Sequence, residues 1–121
     1  MSEGTLELDR KPGRVEVSSA AITAAVCRVV LECYGVVGIA DRKLKHGKAE
    51  LLDDRHYPRG IGVSLHGERV VIDIFVVVEY GTRISEVAHN IMGRVWDTLK
   101  RMLRSDSITV NVHVHGLRIS G

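Results

Sequence analysis

Three observations predict an α+β fold, a two-layer sandwich with two helices on one face of a mixed β-sheet. Two stretches carry apolar residues at helical spacing, Ile22 to Cys33 and Ile84 to Met102. Other stretches alternate apolar with polar residues, as strands with one buried face do. The order reads β-α-β-β-β-α-β, and two helices with one apolar stripe each need a common surface to cover, which the strands supply.

Residues 1–12 mix charge and glycine and read as a flexible arm, so the single domain begins at residue 13 and runs to 121. Arg14 to Val17 form a short strand, and Ser18 is placed to cap a helix. Behind it Ile22, Ala25, Val26, Val29, Val30 and Cys33 recur every three or four residues, a stripe with one buried side. Gly35 stops the helix, since glycine takes the left-handed conformation that closes helices.

Val36 to Ala40 give a short strand, after which residues 41–60 lose all periodicity and read as an exposed, charged connection with one helical turn near Ala49 to Leu52. Ile61, Val63 and Leu65 then alternate with smaller residues, and His66, Gly67, Glu68 and Arg69 turn the chain into the long run Val70 to Glu79, a β-hairpin. Thr82 caps a second helix whose stripe is Ile84, Val87, Ala88, Ile91, Val95, Leu99 and Met102, ending at Leu103. Ile108, Val110, Val112 and Val114 form the last strand, with Thr109, Asn111, His113 and His115 on its other side.

Composition narrows the function. The chain is 45% hydrophobic and 26% charged, with 17 basic against 15 acidic residues, an ordinary globular balance that implies no polyanion partner. Aromatics are only 4%, too few for a platform on which nucleic-acid bases stack. No run approaches the roughly 20 apolar residues that span a bilayer, and Met1 to Lys11 are unlike a secretory signal, so a soluble intracellular protein is expected. Cys27 and Cys33 sit on one helix, separated by about 9 Å of rise and roughly 240° of rotation, and cannot bridge each other there.

The long strand carries the functional signal. Val70, Ile72, Ile74, Val76 and Val78 share the core face, so Val71, Asp73, Phe75, Val77 and Glu79 point away from the helices. An apolar row on an outward face invites either a partner or a covering segment of the chain itself, from the arm or from residues 41–60. The candidate partner-binding set is therefore Val71, Asp73, Phe75 and Val77, with Asn111 and His113 at its rim.

Other readings stay open with less support. Arg42, Lys43, Lys45 and Lys48 place four cations in seven residues and could touch an anionic surface, although a solvated loop accounts for them. Gly35 to Gly38 spell a GxxG that could clamp a nucleic-acid backbone, but its middle residues are both Val where a clamp uses polar ones. His113 and His115 share a face, but zinc needs three or four ligands and no CxxC or HExxH spacing exists, so neither metal nor cofactor is expected. Ser18 and Ser85 lack a patterned base, and no catalytic residue is assigned, so the chain reads as no enzyme.

The ordered set Gly13, Val15, Val17 and Ser18, then Gly35, Val36 and Gly38, then Tyr80 and Gly81, then Val110, Asn111, Val112, Val114 and Gly116 resembles the alkaline shock protein 23 family of bacterial envelope-stress proteins. The resemblance spans residues 13–119. Two features depart from it: the second helix runs into Met102 to Ser105 without a Thr-Gly turn, and the 41–60 connection is this chain's own. The resemblance implies a small non-enzymatic cytoplasmic protein of cell-envelope homeostasis, working through protein partners or copies of itself. Some members reach the membrane through an anchoring partner rather than by inserting into it.

Overall fold

The computed structural model describes residues 5–10 and 13–119. Strand β1 (Thr5–Arg10) pairs antiparallel with β2 (Gly13–Ser18), from Thr5 opposite Ser18 to Arg10 opposite Gly13. Thr5–Arg10 thus form a strand where an arm is expected, while residues 1–4 and 11–12 of that arm lie outside the described residues. Leu6 and Leu8 alternate with Glu7 and Asp9, a short strand pattern that the surrounding charge obscures.

Helix α1 (Ser19–Leu31) begins as expected, with Ser18 Oγ accepting from the Ala21 N–H at 3.0 Å. It buries Ile22, Val26, Cys27, Val29 and Val30. Its last regular residue is Leu31, so Cys33 lies in the following turn, with its thiol on the Val29 carbonyl, and Gly35 takes a φ of 86°. Strand β3 (Val36–Ile39) follows.

The 41–60 connection holds no helical turn at Ala49 to Leu52. Instead Ala40 and Leu51 form an isolated antiparallel bridge, and the helical piece is a 3-10 helix at Asp54–Gly60. A prolyl residue at Pro58 suits so short and irregular a helix.

Strands β4 (Ile61–His66) and β5 (Arg69–Glu79) make the expected hairpin, and helix α2 (Ile84–Leu103) crosses to β6 (Ile108–Arg118). Thr82 does not cap α2. Arg83 holds the cap position, and the Thr82 hydroxyl donates back to the Glu79 carbonyl at 2.7 Å.

The sheet is mixed and centred on β5. One edge of β5 pairs in parallel with β6 from Val70 opposite Ile108 to Glu79 opposite Arg118. The other edge is shared end to end by β4 and β3, both antiparallel, with Ile61 opposite Ile74 and Ile39 opposite Val76. A strand has only two edges, so three partners around β5 require this arrangement.

Both helices cover one face. Ile22, Val26 and Val30 of α1 and Val87, Ile91, Val95 and Leu99 of α2 join Val70, Ile72, Ile74, Val76 and Val78 of β5 in one buried cluster. Arg94 of α2 bonds Glu32 at the end of α1 across 3.1 Å. The opposite face of β5 is covered in part by the 41–60 connection.

Candidate functional site

The outer face is built by register. Parallel pairing sets Asp73 beside Asn111 and Phe75 beside His113. Asp73 Oδ1 accepts from Asn111 Nδ2 at 3.1 Å and from His113 Nε2 at 3.0 Å, which fixes the His113 proton on Nε2. The His113 ring lies flat on Phe75, with centroids 4.5 Å apart and 13° between planes. His115 meets Phe75 edge-on at 4.9 Å, and its Nδ1 is buried with no hydrogen-bond partner among the described residues.

The connection closes the other side of this cluster. Arg42 lies 6.0 Å from the Phe75 ring centre, and its guanidinium bonds the Arg59 carbonyl at 3.2 Å and the Ile61 carbonyl at 3.4 Å. Asp41 anchors the segment. It is buried, takes a paired hydrogen bond from the Arg59 guanidinium, and accepts from the Lys43 N–H at 3.1 Å. The Lys43 N–H first, then the Arg59 guanidinium, hold the Asp41 carboxyl below the usual carboxylate range.

Val77 is covered by the chain itself. Gly38 and Gly116 flank it in register on β3 and β6. A Cβ on Gly38 would meet Leu51 at 2.9 Å, and one on Gly116 would meet Ala49 at 3.2 Å. The connection therefore crosses the sheet along the row Gly38, Val77, Gly116, where missing side chains let it approach. Val77 is 1% exposed, so it leaves the expected binding set, and the exposed loop expected over residues 41–60 is in part a lid.

What remains open is Val71, Asp73, Phe75 and His113, each half-buried, with Asn111 exposed beside them. The Asp73 and His113 side chains keep 35% and 42% of their surface. This is a polar patch around one aromatic stack, not the apolar row expected from alternation alone.

The four cations do not act as one string. Arg42 is held against the sheet. Lys45 and Lys48 face each other across a tight turn at His46 and Gly47, and Lys45 Nζ lies 4.0 Å from Glu50. The Gly35 to Gly38 tetrad spans a turn and a strand, with Gly38 beneath Leu51. Among the described residues no three His, Cys, Asp or Glu side chains are grouped to hold a metal ion. The two cysteines are buried and free, and burial pushes the Cys27 thiol up to about 11.

Comparison with known proteins gives the family. The model of the alkaline shock protein 23 family, described as having a cell envelope-related function, matches residues 7–119. The chain belongs to that family. It is 35% identical over 117 residues to the uncharacterized protein YloU of Bacillus subtilis (strain 168), covering 96% of this chain and 98% of that one. It is 32% identical over 118 residues to the uncharacterized protein Spy1614 of Streptococcus pyogenes serotype M6, covering 97% and 98%. It is also similar to YqhY of Bacillus subtilis (strain 168), at 28% identity over 120 residues, covering 91% and 81%. No solved structure matches. In this family member no helix among the described residues is long and apolar enough to cross a membrane.

Proposed function

We propose that this alkaline shock protein 23 family member serves the cell envelope as a non-enzymatic docking module. Its surface is the open part of the outer sheet face, and its partner is a membrane-anchored protein that brings the chain to the membrane from the cytoplasm.

The observation that carries the reading is the preorganised cluster on that face. Asp73 holds Asn111 and His113 at once, and His113 is stacked on Phe75. Side chains already fixed in place lose little freedom on binding, and aromatic and hydrogen-bonding groups are what interfaces enrich. The family's cell envelope-related description supplies the setting.

Photo-crosslinking tests it. A photoreactive residue at Asn111 should give a discrete adduct with one membrane protein in cells, and one at the exposed Lys100 of α2 should not. Equal labelling from both positions, or none from Asn111, contradicts the reading.

A further inference from the structure

Strand β6 carries a long open edge of the sheet, and the phase of its backbone groups follows from its two ends. The Val70 N–H bonds the Ser107 carbonyl at 3.0 Å, and the Tyr80 N–H bonds the Arg118 carbonyl at 2.8 Å. In a parallel ladder alternate residues turn both N–H and C=O toward the neighbouring strand. Thr109, Asn111 and His113 therefore bond toward β5, and the backbone groups of Ile108, Val110, Val112 and Val114 point off the edge. No strand among the described residues pairs with them. Val76 pairs with Val114 and Val77 with Gly116, so His115 is an extra residue, a bulge that ends the regular run.

Proteins ordinarily blunt such an edge with charge, proline, short length or a covering segment. From Ile108 to Leu117 the strand carries no Lys, Arg, Asp, Glu or Pro. The opposite side of the sheet is built differently. It is split between two shorter strands, and the connection bonds both: the Leu52 N–H donates to the Ile39 carbonyl at 2.9 Å, and Arg42 to the Ile61 carbonyl at 3.4 Å. One long bare edge per chain suits a closed pair, whereas two would propagate a fibre.

Side chains line the edge on both faces. Arg94 turns toward α1, where it bonds Glu32. Met92 and Trp96 lie roughly 160° around the helix from Arg94, on the side of α2 away from α1. Both are half-buried, as are Val110, Val112 and Val114 on the sheet face that α2 covers. On the outer face the edge shows Thr109, Asn111 and His113.

This edge is complementary to itself. Turned antiparallel about a twofold axis at Asn111, Val110 meets Val112 of the second copy and Ile108 meets Val114, so each free group of the run faces a free group of the other. Asn111 then lies beside its own copy, where one amide donates to the other, and no like charges are opposed.

We propose that a second copy of this chain covers the β6 edge. Strand β6 adds antiparallel to β6, one sheet runs through both molecules, and Met92 and Trp96 of the two α2 helices close the groove above the seam.

Light scattering over a concentration range should show a dimer for the full chain, and Val112→Pro should weaken it at least tenfold. Proline there removes only an N–H that points off the edge, so the ladder to β5 is kept. Asn111→Cys should give a disulfide-linked dimer under mild oxidation, because an antiparallel pair of this kind brings Cα atoms to about 4.5 Å, within reach of a disulfide. Thr109→Cys should not, since it stands about 13 Å from its own copy. The native cysteines are buried and leave both readings clean. A monomer at every concentration, or a Val112→Pro chain that dimerises as well as wild type, overturns the proposal. Should Val112→Pro fail to fold, the thiols decide: no covalent dimer from Asn111→Cys, or an equal yield from Thr109→Cys, overturns it too. Such a failure leaves the docking reading untouched, because docking uses side chains of the outer face and this interface uses main-chain groups of the edge.

Discussion

Ala49 stands 3.2 Å from the point where a side chain on Gly116 would begin, so a segment with no periodicity of its own is seated on the sheet by a missing methyl group. Gly38 does the same for Leu51 from the other flank of Val77. Between them these contacts decide how much of the outer face is available to anything else.

Gly116→Val should lift the connection from the sheet. Overpacking of this kind costs about 1–3 kcal/mol. Urea denaturation should show that loss, and hydrogen exchange should rise across residues 49–52. An unchanged midpoint with unchanged exchange would mean that the segment has room to spare.

Arg104 ends α2 in the left-handed conformation, with φ 52° and ψ 43°, where glycine is the usual residue. Arg104→Gly should stabilise the protein by about 0.5–1 kcal/mol, because only the arginine pays for the Cβ. Thermal melting of the pair checks this, with a higher midpoint expected for the glycine variant.

Acid should loosen the connection through Asp41. Its carboxyl is held below the usual range by the Lys43 N–H and Arg59, so its contribution is present above the ordinary value of about 3.9 and fades as pH falls from there toward its folded value. Melting temperature measured from pH 6 down to pH 3 should fall for the wild type. Asp41→Asn should start about 1–3 kcal/mol less stable at pH 6 and lose less over the same range.

Cys27 should resist thiol reagents while the chain is folded. It is buried, and a thiol pushed up to about 11 is neutral at physiological pH. Labelling with a disulfide reagent should be slow in buffer and complete in denaturant, and fast native labelling would contradict the packing of α1 against the sheet.

Both helices and the long strand were legible in the sequence because burial imposes a period on them. Ile22, Val26 and Val30 return every four residues, and Val70 to Val78 alternate. Ser18 announced its helix because a hydroxyl there satisfies an N–H that the helix itself cannot. The lid over Val77 was hidden. Contact between an irregular segment and a sheet leaves no period, and its one trace is a glycine in each strand beside Val77. The Asp73 cluster was half visible: Asn111, His113 and Phe75 stood out as outward residues, but their grouping depends on a parallel register between strands some forty residues apart. Arg42 read as one cation in a run, and only the fold shows it held against the sheet over Phe75.

The most direct test of the docking account is the share of the chain that fractionates with membranes, wild type against Asn111→Arg. Asn111 is exposed, so the substitution should leave the melting temperature unchanged while the variant moves from the membrane fraction to the soluble one. An identical distribution of the two proteins would contradict the account.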